Sequence, residues 1–554
     1  MWRRISLAGF NITKILDSLS SKPVIRYIIY SSSTIFFFAV ILIPPILGIL
    51  LKWNLMGQVF EDPNLTSRAI SAISASFLIA MFVSIVDVVA GLPMAWFVVR
   101  SKSRWLSIID TLADIPFIVP TVTLGYSLLL FWSDPNAGGL SSLFGGILVS
   151  PGWLLVILLH FTFSYPVVVR VIVGALQDYE YVYEEASKTL GAASLTAVRT
   201  VTLPILKPSL IASFILAFAR SLSETGATVM VAGIFENGPI FIKHAIDDGQ
   251  EGPLVLVSLI LILVSAAIFV AIHMLSPKLK IPIKRIWPNT ERLLSNFGAM
   301  TIRNSVSIVI FLFLVLIPSL FVAFPAINAI ASGTLGDAVG SIGVWQGYWQ
   351  SLGLSYLVAA IVTFLNVIVG LPMAVLIARK RAGKVLPAIL DIIVNVPLIV
   401  PSIALGASMS IFWENFAFIP EIGLVIFAHL SITYPYFVRT MSAAIERIDI
   451  DLENASRILG AKPFTVFKTI ILPLTKYSLF AGAIMMFARS VDETGATLAV
   501  VKTLKTAPVL LVDWVKGIVH ATQLEIGLGC AFLIIFSFVV LLVLRFVVRG
   551  RGRY

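Results

Sequence analysis

An all-α fold, a polytopic membrane protein of two tandem six-helix repeats, follows from three observations on the 554-residue chain. Hydrophobic residues make up 58% and charged residues 12%, with a mean hydropathy of +0.98, where a soluble protein carries roughly 25% charged residues. The apolar residues fall in continuous runs of the length, about 20 residues, that a helix needs to cross the hydrocarbon core. They show no inside/outside alternation, which excludes a β-barrel. Finally, the second half of the chain repeats the punctuation of the first.

Taken in order, residues 1–26 form a mixed, basic segment, "MWRRISLAGFNITKILDSLSSKPVIR", with no evident cleavable signal peptide. The first transmembrane domain, 27–276, holds apolar runs at 27–51, 69–99, 105–132, 152–176, 208–234 and 254–276. A polar linker occupies 277–303. The second domain, 304–548, holds runs at 304–330, 350–379, 385–413, 420–445, 477–501 and 525–548, and a basic tail, 549–554, closes the chain. About twelve transmembrane helices are thus expected. The net charge of +11 is carried by Arg3, Arg4, Lys14, Lys22 and Arg26, by Arg100, Lys102 and Arg104, by Lys278, Lys280, Lys284, Arg285 and Arg292, and by Arg545, Arg549, Arg551 and Arg553. All fall on one side if the spans alternate, whereas the loop 235–252 carries Glu236, Asp247, Asp248 and Glu251. This positive-inside pattern places both termini in the cytoplasm of a cell-membrane protein and argues against nucleic acid as a partner.

The halves are copies. "GLPMA" begins at Gly91 and at Gly370, and "IVP" ends at Pro120 and at Pro401. "FARSLSETGAT" (218–228) answers "FARSVDETGAT" (487–497) with nine of eleven positions identical, 269 residues later. The repeat spacing drops from 281 residues at "IVP" to 269, so the loop after the third span is shorter in the second half. With an even number of spans per copy, both enter from the same side and are related by a pseudo-two-fold axis along the membrane normal, with a pathway between them.

Two polar stretches interrupt this pattern at matching points, "EEASKTLGAASLTAVRTVTLP" (184–204) and "ENASRILGAKPFTVFKTIILP" (453–473). Acids at the start of the first suit a helix N-terminus. Gly191 permits a left-handed turn, Ser194 can cap the next helix, and Pro204 and Pro208 redirect the chain into the next span. The expected product is a surface helix–turn–helix that presents a fixed knob to the cytosol.

The pattern E-A-A, three residues, G, nine residues, I-x-L-P resembles the cytoplasmic loop motif of ABC importer permeases of the type I, binding-protein-dependent kind. Glu185, Ala186, Ser187, Gly191, Val201, Leu203 and Pro204 match it, as do Asn454, Ala455, Ser456, Gly460, Ile470, Leu472 and Pro473. Departures are Ser187 and Ser456 for the second Ala, Val201 for Ile, and Asn454 for the leading Glu. Glu453, the counterpart of Glu184, sits one place earlier and can supply the charge. The resemblance implies that each loop docks an ATP-binding subunit, two copies in all, and that an extracellular or periplasmic binding protein delivers the solute. It implies no cofactor for this chain, ATP being used by the partner, and the chain is not expected to be an enzyme. In agreement, no G-x-x-x-x-G-K-[ST] occurs; "RAGKVLP" lacks the Ser/Thr and the upstream glycine. The single Cys530 and five scattered His offer no metal site.

An ionisable group at mid-bilayer costs about 2.5–3.5 kcal/mol on insertion scales, and several recur in both copies: Asp110 and Asp391, His160 and His429, Arg170 and Arg439, and Arg220/Glu224 with Arg489/Glu493. Asp492 stands where the first half has Ser223. The Arg-to-Glu spacing of four lets each pair meet on one helix face, as structural ion pairs or as the lining or gate of a pathway; both readings stay open. The two His read as hydrogen-bonded packing groups.

"SETGATVMVAG" (223–233) resembles the corresponding helix of molybdate, tungstate and sulfate permeases, while fusion of two halves in one chain resembles ferric-iron, thiamine or phosphonate permeases. The expected solute is a small inorganic ion such as ferric iron or an oxyanion. The competing class, an ion-gradient-driven twelve-helix secondary transporter, would carry G-x-x-x-D-R-x-G-R after the second span; the chain reads "VVRSKSRW" and "IARKRAGKV" there.

Overall fold

The computed structural model describes residues 12–100, 112–113, 115–275, 288–381, 383, 385–416 and 418–548. Asp110, Asp114, the first part of the linker (277–287) and the basic tail lie outside them. Among the described residues every regular element is a helix. Ten are long and apolar enough to cross a membrane: Pro23–Leu51, Pro63–Arg100, Trp153–Asp178, Ser194–Ser223 and Glu251–Ile272, then Phe297–Ala331, Trp345–Ala378, Glu421–Glu446, Pro463–Asp492 and Gln523–Val543.

The third apolar run of each half, expected as one span, is broken at its proline; in the first half residues 105–111 of that run lie outside the described residues. The run 385–413 is a pair of helices, Val385–Leu398 and Ser402–Trp413, bent by 102°. In the first half the matching break leaves the short helix Thr121–Trp132. The cause is the proline of each "IVP": Pro120 and Pro401 adopt extended backbone, ψ 141° and 131°. A proline lacks the N–H and crowds the carbonyl four residues back, and the residue before it is pushed out of the helical region.

Four other prolines are absorbed rather than obeyed. π-helical turns at Phe37–Leu42, Val198–Thr202, Phe311–Leu316 and Phe467–Ile471 each end two residues before a proline: Pro44, Pro204, Pro318 and Pro473. In each case the residue just before the proline donates its N–H five residues back, as Leu203 does to Val198 and Leu472 to Phe467. The extra residue in the turn relieves the carbonyl that the ring would strike. Pro204 therefore does not redirect the chain: Ser194–Ser223 runs straight on from the polar stretch into the membrane, starting well before the expected 208.

The two repeats are interlocked. The first span lies on the second repeat, where Ser33 Oγ donates to the Val369 carbonyl (2.6 Å) and the Ile49 N–H donates to Ser408 Oγ (3.0 Å). Phe37 stacks on Tyr434 with ring centroids 5.4 Å apart. In mirror fashion the seventh span lies on the first repeat: Thr162 Oγ1 donates to the Leu314 carbonyl (2.8 Å) and Ser127 Oγ to that of Pro318 (2.6 Å). The carbonyls of Pro318 and Pro45 are thus satisfied by Ser127 and Ser408 of the opposite half, which a low-dielectric interior requires.

Candidate functional site

The polar stretches form two matching knobs. Helices Val182–Thr189 and Ile450–Ile458 each end in a glycine with left-handed backbone, Gly191 at φ 89° and Gly460 at φ 87°. The turn is closed by Ala192 N–H donating to the Ser187 carbonyl (3.2 Å) and Ala461 N–H to that of Ser456 (3.0 Å), the six-to-one bond that accompanies a left-handed glycine. It leaves Leu190 and Leu459 at the tip, 89% and 88% exposed. Glu185, Asn454, Ala186 and Ala455 are also exposed, while Ser187 and Ser456 are half-buried. Leu203, Pro204, Leu472 and Pro473 belong to the helix beyond the π turn.

What anchors each knob is the residue before the motif. Glu184 is 2% exposed and Glu453 fully buried. Glu453 accepts from Arg379 Nε at 2.8 Å and pairs with Arg457 (3.0 Å) and Arg381 (3.6 Å). Glu184 pairs with Lys188 (2.6 Å) and Arg100 (3.6 Å). Arg100 and Arg379 end the second span of each repeat, so a charged link ties knob to membrane helix twice over. The identity of Glu184 and Glu453 across the repeat was the available signal; of their arginine partners, Arg100 was read only as a positive-inside charge and Arg379 was not singled out.

The helices that leave the knobs are capped from a distance. Thr465 N–H donates to Asp17 Oδ1 (2.8 Å) and Phe464 N–H to Ser20 Oγ (3.1 Å), both on the N-terminal helix Ile12–Ser21. In the first repeat Leu195 N–H donates to Ser295 Oγ (2.9 Å), and buried Glu291 binds Arg199 (2.6 Å) and Thr196 (2.5 Å). Glu291 belongs to Pro288–Leu294, inside the expected linker. Ser194, expected as a cap, is the first helical residue and has no capping bond of its own.

The second constellation lies where the repeats meet. Each fifth span stops at "ET": Glu224 and Glu493 are extended, and their Oε1 atoms accept the N–H of Ala227 (3.0 Å) and Ala496 (2.9 Å), capping the short helices Gly226–Val231 and Gly495–Val500. The two "ETGAT" stretches cross at their glycines. A Cβ on Gly226 would stand 2.6 Å from that of Thr494, and one on Gly495 2.8 Å from that of Thr225, closer than real Cβ atoms approach. His160 bridges Ser221 (2.8 Å) and Thr228 (3.0 Å), and His429 bridges Ser490 and Thr497 (both 2.8 Å). Both imidazoles are buried and fasten the fourth helix to the break, as packing groups.

Beside the crossing is a cavity of about 470 Å³ lined by Pro120, Arg220, Glu224, Arg489 and Asp492 among others. Its charges are not symmetric. Arg489 pairs with Glu493 at 2.6 Å. Arg220 faces the Phe163 ring at 5.4 Å, and among the described residues no ion pair joins it to Glu224, which corrects the expected pairing. Asp492 reaches across the interface to accept the Thr121 N–H at 2.5 Å, holding the N-terminus of the helix beyond the Pro120 break, a favourable place for a carboxylate. Opposite it, Ser402 Oγ meets the Ser223 carbonyl at 3.4 Å.

Two interlocked helical repeats around a charged cavity, each bearing a braced knob, are the architecture of a two-domain membrane permease. The chain belongs to the family described as the binding-protein-dependent transport system inner membrane component, which matches it twice, over residues 87–281 and 370–551. It is similar to the sulfate transport system permease protein CysT of Salmonella typhimurium, 34% identical over 219 residues, which are 39% of this chain and 79% of that one. It is also similar to the probable sulfate transport system permease protein of Nephroselmis olivacea (31%, covering 43% and 86%) and to the molybdenum transport system permease protein ModB of Escherichia coli K12 (32%, covering 28% and 73%). Each relative is matched over most of its length by less than half of this chain, as a fused pair of repeats requires.

Proposed function

We propose that this chain is the complete translocation pathway of an ATP-driven importer for an inorganic oxyanion of the sulfate or molybdate kind, delivered by a separate binding protein. The knobs face the cytoplasm, and one ATP-binding subunit docks on each. The observation that carries the reading is the pair of equivalent knobs, each tied by a buried carboxylate to the second span and by trans capping to a further helix, with a bare leucine at the tip. Closure of two ATP-binding subunits would push on Leu190 and Leu459, and a rigid knob transmits that push where a flexible loop would absorb it. The halves then shift between packings around the "ETGAT" crossing, since only a differential contact free energy moves such an equilibrium. Arg220 and Arg489 supply positive charge to the passing anion, with Glu224 and Asp492 keeping the empty cavity from trapping it.

The test is co-purification of the tagged chain with an ATP-binding subunit, then uptake of labelled sulfate and molybdate into proteoliposomes with binding protein outside and ATP inside. Expected is uptake of one or both anions that stops without ATP. The double substitution Gly191→Val and Gly460→Val strains a left-handed position by roughly 1–2 kcal/mol each. It should leave ATP hydrolysis and abolish its coupling to uptake. Transport that persists without nucleotide and collapses with an ion gradient would overturn the reading.

A further inference from the structure

A second cavity, about 730 Å³, lies beside the second-repeat knob, between the start of the first span and the helix Trp345–Ala378. Its polar end carries three guanidinium groups, Arg26, Arg381 and Arg457, and one carboxylate, Glu453. That carboxylate pairs with Arg379 as well as with Arg381 and Arg457, so with Arg26 four guanidinium groups stand against one carboxylate and the polar end keeps an excess of positive charge. Arg26 Nε is buried with no hydrogen-bond partner. The rest of the wall is apolar, with Ile29, Ile368 and Leu371 leading away from the arginines along the two spans. Tyr27 and Ile29 are exposed at the rim, on the surface that a span turns to lipid. Arg26 sits in the first turn of a span that begins at Pro23, the height at which basic side chains meet headgroups.

The first repeat fills the matching region with rings. Arg100 lies 4.0 Å from the centroid of Tyr181, 5.6 Å from Trp96 and 5.8 Å from Tyr179. The equivalent residues of the second repeat are Val375, Ile448 and Ile450, and Val375 lines the cavity. The space therefore comes from replacing an indole by an isopropyl group next to a cationic cluster.

We propose that this cavity holds one anionic phospholipid of the leaflet on the knob side, its phosphodiester among Arg26, Arg381 and Arg457 and an acyl chain along Ile29, Ile368 and Leu371. The site depends on the membrane placement of the first span and not on the solute proposed above. It abuts Glu453, so an occupied cavity braces the second knob.

Delipidated full-length protein would be titrated with phosphatidylglycerol or phosphatidylcholine and the bound lipid counted by native mass spectrometry. One phosphatidylglycerol should be retained above the phosphatidylcholine background. Arg26→Gln, which breaks no ion pair, should weaken it about fivefold. Val375→Trp, which restores the first-repeat residue, should expel it, while Arg292→Gln, an exposed charge elsewhere on the same side, should change nothing. Equal retention of both lipids, or retention unaffected by both cavity variants, would overturn the proposal. So would full displacement by inorganic phosphate at equal concentration, which would make the arginines a free-phosphate site.

Discussion

Glu453 and Asn454 are neighbours with opposite environments, and the difference decides what each is worth. The Glu453 carboxylate is fully buried among three arginines, whereas Asn454, at the position where the motif has its glutamate, is exposed. Removing one partner of a buried pair leaves an uncompensated charge and costs about 3–5 kcal/mol, while a surface change away from such features stays within about 0.5 kcal/mol. Glu453→Ala should therefore lower the melting temperature of the purified chain markedly, and Asn454→Ala should not move it. If the two variants melt alike, the anchoring role of Glu453 is wrong. The same contrast holds for Glu184 against Glu185 in the first repeat. Arg220 and Arg489 make a related point: identical "FAR" and "ETGAT" letters leave one arginine paired with its glutamate and the other over the Phe163 ring.

At the scale of elements, proline has two outcomes in this chain. Pro120 and Pro401 break their helices, and the break brings the Thr121 N–H to Asp492. Pro204 and Pro473 are carried through by π turns. The turn holds one more residue than an α-helix would, and one residue is about 100° of rotation, so the turn sets how each knob faces relative to its span. Replacing Pro204 and Pro473 with Ala restores the missing N–H. The double variant should be as stable as the parent or more so, since an interior proline costs about 3 kcal/mol. In the importer proposed above, ATP-coupled uptake should fall as the knobs turn away from the ATP-binding subunits. Undiminished uptake in a variant of equal thermal stability would show that the π turns do not set the docking angle.

On the scale of the molecule, the swap of first spans makes each repeat incomplete without the other. Ser408 and Ser127 serve backbone groups of the opposite half, and Asp17 and Glu291 brace knobs across the repeat boundary or from the linker. A chain split between residues 287 and 288 and expressed as two tagged pieces should still co-purify, because these contacts do not need the covalent connection. Either piece alone should be degraded, with its first span or its third-span serine unpartnered. Independent accumulation of a lone half would refute the interlock.

Much of this was legible in the letters. Apolar run length, the duplicated motifs and the glycine that ends each knob are local properties, set by helix rise, by hydropathy and by the left-handed freedom of glycine. They specified an all-α membrane protein of two copies, and the knob turns at Gly191 and Gly460 stand where they were expected. The tertiary structure alone decided which prolines break a helix and which are absorbed, that the first spans change places, and that Glu184 and Glu453 rather than the motif's own leading position carry the anchor. It also left Arg220 without its expected partner. Each of these turns on which distant group satisfies a backbone carbonyl or a buried charge, and in a medium without water that neighbour is supplied by the fold.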